Sequence, residues 1–132
     1  MTIRADIESR LLNFAAAQTP PIPVSLQGIP FVRPTSGYYL ELFFMPSSTI
    51  NVELSGHHIR QRGMVQINCW VMDGKGSGAL ERLADQVAAL YPVSPIMGNT
   101  IITKYPATGV HRIDSQWRSV PVYVQYRQEQ IV

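Results

Sequence analysis

Three histidines, one cysteine and a glycine-lysine loop are the residues of this 132-residue chain whose types suggest chemistry. Most of them fall in one stretch, GHHIRQRGMVQINCWVMDGKGSG, from Gly56 to Gly78. His57 and His58 have the donor atoms for a metal or a general base, but neighbours on a strand point to opposite faces and do not converge on one atom. His111 lies far along the chain, and no acidic residue is spaced with it to complete a ligand set. A nucleophilic Cys69 needs an electropositive, accessible setting. Its parity groups it instead with Val65, Ile67 and Val71, which predicts a buried, inert thiol.

The loop DGKGSG looks like half of a phosphate-binding loop. The complete pattern requires a glycine five residues before the Gly-Lys pair and Ser or Thr directly after the lysine. Those positions hold Cys69 and Gly76, so the glycines read as the turn from a strand into a helix. Of the nearby acids Asp73, Glu81 and Asp85, the last two form an i,i+4 pair on a helix flank, the pattern of a solvated face. No catalytic residue, metal ligand or cofactor site is assigned, and the chain reads as non-enzymatic.

The elements that position these residues follow from hydrophobic period. Residues 2–17 carry Ile3, Ile7, Leu11 and Phe14 at helical spacing, and TPPIP ends that helix. Five prolines between Pro20 and Pro34 hold the next segment extended, with room for a short strand at Val24–Leu26. GYYLELFFM, Gly37 to Met45, predicts a strand whose even side (Tyr38, Leu40, Leu42, Phe44) is apolar and whose odd side is mostly so. A polar turn, an alternating segment and a second turn follow over Pro46–Gly56, resembling an extended hairpin arm. From His57 to Met72 the odd positions Ile59, Val65, Ile67, Cys69 and Val71 make an apolar face, and Arg60, Arg62, Gln66 and Asn68 a polar one. Gly63 within that strand predicts a bulge or a close backbone approach. A second helix spans about Gly78 to Tyr91, and three strands are expected at Thr100–Lys104, Val110–Ser115 and Trp117–Tyr126. The order predicts an α+β domain: a mainly antiparallel sheet with two α-helices packed on one face, plus the hairpin arm.

Length and composition bound the rest. At 14.8 kDa the chain fits one domain over residues 1–132, large enough to bury a core without staples. A single cysteine excludes an internal disulfide. The first residues lack the apolar run of a secretory signal, and no segment has the roughly 20 apolar residues of a membrane helix, so a soluble, cytoplasmic origin is expected. A net charge of +2, with basic residues scattered from Arg4 to Arg127, does not form the stripe of a nucleic-acid interface. Charged residues are only 15% of the chain, a shortage that points to surface covered by other subunits.

Two motifs carry a resemblance. Arg62, Gly63, Gln66 and Ile67, followed by Gly74, Gly76 and Gly78 before an alanine-rich helix, form the first; Trp117, Pro121, Val122 and Tyr126 in WRSVPVYVQYR form the second. With the amino-terminal helix and proline-rich early strand, this order resembles the tail-terminator-like proteins of long-tailed bacteriophages and prophages, the minor tail protein U-like family, over nearly the whole chain. The resemblance implies a structural subunit, commonly a hexamer, that caps the tail tube, stops its polymerisation and presents a surface for joining the head. Its implied partners are further copies of itself, the tail tube protein and a head-completion protein, with no cofactor and no membrane. A head-tail connector or another small binding module is the alternative. A closed ring requires two complementary patches per subunit. Ser47, Asn51, Glu53, His57 and His58 of the arm, with Arg60 and Arg62, are the candidates for a subunit or tube contact.

Overall fold

A computed structural model describes residues 3–18, 21–35, 37–51, 58–72, 77–93, 95–97, 100–114 and 116–131. Helix α1 spans Ile3–Ala16 and helix α2 Ser77–Ala88. The strands are β1 (Val24–Leu26), β2 (Tyr38–Asn51), β3 (His58–Met72), β4 (Pro95–Met97), β5 (Thr100–Ile102), β6 (Ala107–Thr108), β7 (Arg112–Asp114) and β8 (Trp117–Ile131). They form one sheet in the order β1-β2-β3-β8-β5-β4, with β6 and β7 also paired to β8. Every pairing is antiparallel except β1 with β2. The expected α+β class, with two helices against a mainly antiparallel sheet, is the observed one.

The sheet is organised around β3 and β8, which pair in one unbroken register from His58↔Ile131 to Met72↔Trp117. Valines at 120, 122 and 124 face the same side as Val65, Ile67 and Cys69, because side chains alternate with period two. On that side they meet Leu40, Leu42 and Phe44 of β2, Ile7 and Leu11 of α1, and Leu80, Leu83, Ala84 and Val87 of α2 in one buried core. The helices are also tied to each other. Tyr91 Oη donates to the Ile7 carbonyl at 2.8 Å, and Arg10 Nη1 to the Leu90 carbonyl at 2.7 Å.

The far edge of β8 is shared by three short strands in succession, β7 at Trp117–Ser119, β6 at Val122–Tyr123 and β5 at Tyr126–Gln128. Pro121 sits at the break between β7 and β6 and accepts from the Gly109 amide at 2.9 Å. A residue's N–H and C=O leave a strand on the same side, so the donor that proline lacks faces Gly109 just past β6, and the long β3–β8 ladder on the other side continues through Asn68↔Pro121.

Several boundaries differ from the sequence expectation, including β5 and β7, which are shorter than Thr100–Lys104 and Val110–Ser115. Pro46–Asn51, expected to open with a polar turn, continues β2, with a register shift between Pro46 and Thr49. One extra residue on an edge strand is the usual way to keep pairing past a proline. The bulge therefore lies on the neighbouring strand, next to the Pro46↔Gly63 pair and opposite Arg62, while Gly63 makes the close approach: a Cβ there would overlap the Tyr126 ring, 2.6 Å from Cζ. Helix α2 ends at Ala88 rather than Tyr91, and β8 runs on to Ile131 because β3 remains available as a partner. Strands β4 and β6, two or three residues each, were not anticipated. The tip of the expected hairpin arm, Val52–His57, and the Asp73–Gly76 loop lie outside the described residues.

Candidate interaction surface

One face of the sheet packs against the helices; among the described residues the other carries no helix. Along β2, β3 and β8 the helix-free face presents, in successive rows, Met72 and Trp117; Tyr39, Trp70 and Ser119; Glu41, Asn68 and Pro121; Phe43, Gln66 and Tyr123; Met45, Met64 and Gln125; and Arg62 beside Arg127. This corrects the expected polar face of β3. The even positions include Met64, Trp70 and Met72, and their partners across the strands are aromatic or apolar as often as polar.

The two ends of this face differ. At the first end Tyr39, Trp70 and Trp117 are buried together, with Phe31 and Met72 packed on them. Tyr39 stacks beside Trp70 at 5.7 Å and meets Trp117 edge-on at 5.0 Å. The Arg33 guanidinium lies over all three rings, 5.6, 5.3 and 5.6 Å from the centroids of Tyr39, Trp70 and Trp117. Its Nε donates to Tyr39 Oη at 2.8 Å and its Nη2 to Asp114 Oδ2 at 2.9 Å. The Asp114 carboxylate holds the Arg33 pKa above its ordinary value, against a smaller opposing effect of desolvation. Burial raises the Tyr39 phenol, and the Arg33 bond partly offsets it.

The middle of the face is a polar ladder. Gln66 Nε2 donates to Asn68 Oδ1 at 2.8 Å, Asn68 Nδ2 to Glu41 Oε1 at 3.0 Å, and the Trp70 indole to the same oxygen at 3.0 Å. Each partner lies on an adjacent strand or two residues along, so the ladder depends on the β2–β3 register. Beyond it Phe43 and Met45, neighbours on the same face of β2, are more than one-third exposed.

At the second end a cleft of about 540 Å³ is lined by Met45, Arg62, Gly63, Met64, Thr103, Gln125, Tyr126 and Arg127. Arg62 is exposed, whereas Arg127 is half-buried and its Nε is buried with no hydrogen-bond partner. A buried donor left unpaired carries a desolvation cost of roughly 1–3 kcal/mol, which an acceptor brought by another molecule removes.

Of the residues singled out for contact, Arg62 lines this cleft, and Arg60 lies two residues along the same strand, paired with Ile50 and Glu129. Ser47 and Asn51 belong to the backbone of β2, Asn51 opposite Ile59, and His58 opens β3 opposite Ile131. Glu53 and His57 lie outside the described residues. Sequence reading missed Arg127, Met45 and Met64 beside Arg62, and the whole Arg33 cluster. The signal for the first group was the constant β3–β8 pairing, which puts Arg127 beside Arg62; for the second there was none, since Arg33 and Asp114 are 81 residues apart.

Among the described residues, two groups weighed for catalysis lie apart, Cys69 in the core and His111 at the surface. Burial pushes the Cys69 thiol up to about 12, so it stays protonated and poorly nucleophilic at neutral pH. His111 Nε2 lies 3.5 Å from Glu81 Oε1 at the surface, a partner that spacing did not reveal. Among the described residues no three His, Cys, Asp or Glu side chains gather as a metal site, and no helix is long and apolar enough to cross a membrane.

The comparisons with known proteins agree with this arrangement. A solved structure is similar over 96% of this chain and 92% of its own, with a TM-score of 0.80 and 32% sequence identity. No curated protein sequence matches the chain. The family described as "Phage tail terminator protein" matches residues 2–126. Nearly every described element, from α1 into β8, lies inside that match, and the chain therefore belongs to the phage tail terminator proteins, with a structural role in phage tail assembly.

Proposed function

We propose that residues 1–132 act as one ring-forming subunit that caps the completed tail tube, ends its polymerisation and offers the surface to which the head is joined. The assembled form is a homohexamer, with the tail tube protein on one side and a head-completion protein on the other; the isolated chain is a monomer. Assembly takes place in the host cytoplasm. The observation that carries this reading is the helix-free sheet face, with a polar ladder at its middle, exposed Phe43 and Met45 beyond it and an arginine-lined cleft at one end. A ring closed by head-to-tail contacts needs two different patches on each subunit, and the two ends of this face are different.

The Arg62 and Arg127 cleft, with Arg60 and the β2–β3 arm, is the surface assigned to a subunit or tube contact. The unpaired Arg127 Nε supports it, because a neighbour's carbonyl or carboxylate in the cleft satisfies that donor. Negative-stain microscopy of the protein mixed with tail tubes of its own phage tests the capping role. Tubes of uniform length that end in a ring support it; tubes that keep growing with the protein unbound refute it. Charge reversal by R60E with R62E tests the surface, since undiminished capping by that variant removes these residues from the contact. A connector role is separated by adding phage heads to the same mixture: a connector is found on heads and leaves tube length unchanged.

A further inference from the structure

We propose that Tyr39, Trp70, Trp117 and Asp114 form an arginine-binding socket, and that Arg33 occupies it in cis as a tethered ligand. The elements of a recognition site for a planar cation are all present. Three ring systems from three strands lie within 6 Å of the guanidinium carbon, inside the range of cation–π attraction. A phenol oxygen and a carboxylate take two separate N–H groups in hydrogen bonds, which a lysine ammonium on a single point cannot reproduce in the same plane. The rings are held from behind: Trp70 is fixed by its bond to Glu41, and Trp117 and Tyr39 are each almost fully buried.

The cage is built by the sheet, whereas its occupant is not. Tyr39, Trp70 and Trp117 stand on β2, β3 and β8, paired through most of their lengths. Arg33 belongs to the segment between β1 and β2, where Ile29 and Val32 are 59% and 89% exposed and Phe31 alone of the three packs on the cage, 5.5 Å from the Tyr39 ring. Elements with little buried surface open at low free-energy cost, while paired central strands do not. The preformed part of the site therefore persists without its plug, and the ligand class it accepts is a guanidinium. This inference does not depend on the ring-forming role and survives or fails separately from it.

Both tryptophans of the chain line the cage, so intrinsic fluorescence reports on this site. The full-length wild type and R33A are titrated with N-acetyl-arginine amide and, in parallel, N-acetyl-lysine amide. The expected result is a saturable change in R33A with half-saturation in the millimolar range, at least about tenfold tighter for the arginine probe, and no such change in the wild type, whose cage is filled. Adding D114N to R33A weakens the arginine response several-fold. Equal responses of wild type and R33A, equal responses to the two probes, or no saturable change in R33A overturns the socket. If R33A is unfolded at the assay temperature, recovery of native far-UV circular dichroism by the arginine probe alone supports the proposal. Recovery by both probes or by neither overturns it.

Discussion

Replacing Gly63 by alanine adds one methyl group where the packing around β3 leaves no room for a Cβ. The new Cβ overlaps the Tyr126 hydroxyl, lies 2.6 Å from its Cζ and 3.1 Å from the Met45 carbonyl oxygen. Tyr126 cannot simply swing away, since it is 5% exposed and packs edge-on against Phe44 at 6.3 Å. Overpacking of this kind costs about 1–3 kcal/mol. Alanine recovers roughly 0.5–1 kcal/mol by restricting the unfolded chain. The difference is a net loss of about 0–2.5 kcal/mol, centred at about 1 kcal/mol, read as a urea midpoint shift by circular dichroism and as a fall in Tm of about 3–5 °C at that centre. The decisive arm is Tyr126→Leu. It carries its own cost of a few kcal/mol from the lost ring, but on that background Gly63→Ala becomes neutral or stabilising, a coupling of at least about 1 kcal/mol. An equal cost of Gly63→Ala in both backgrounds, or a higher Tm on the wild-type background, refutes the steric account.

Further outcomes follow from the core and the surface. The Cys69 thiol is raised from 9.0 to about 12, so its contribution to stability is complete below pH 9 and is lost as pH rises toward 12. The loss has a slope of about 1.4 kcal/mol per pH unit. Urea midpoints of wild type and Cys69→Ala measured across pH 8–11 should therefore converge, and parallel curves contradict the burial argument. Tyr91→Phe removes the bond from α2's end to the Ile7 carbonyl and is expected to cost about 1 kcal/mol in the same assay. Ile67→Ala, at the centre of the core, should cost about 2–5 kcal/mol. His111→Ala breaks only a surface contact with Glu81, and its effect should stay within about 0.5 kcal/mol.

The buried face of the sheet was legible because a period-two alternation and a one-sided core leave little choice. Val65, Ile67, Cys69 and Val71 had to face one way, and Val120, Val122, Val124 and Tyr126 had to face one way; all of them line the core. The helix-free face was not legible for the same reason inverted. Met64, Trp70 and Met72 interrupt a polar pattern, and what they mean depends on which residues β2 and β8 set beside them. The bulge was missed because Pro46–Ser48 has turn composition, and only the presence of β3 as a partner keeps it extended. The contact residues suffered similarly. Arg62 was singled out on charge, but the cleft beside it is completed by Met45 of β2 and by Tyr126 and Arg127 of β8, which the strand pairing brings there.

Taken alone, the amino-acid order determined the helix–strands–helix–strands succession, the burial of Cys69, the family resemblance and the absence of spaced catalytic groups. These are local properties, set by side-chain period, turn residues and short motifs. Tertiary structure alone decided that Arg33 meets Asp114 across 81 residues, that three aromatic rings from three strands surround it, and that the arginine cleft forms at the opposite end. Those contacts are set by the register of long strands, and register is a collective choice made by the whole core rather than by any one segment.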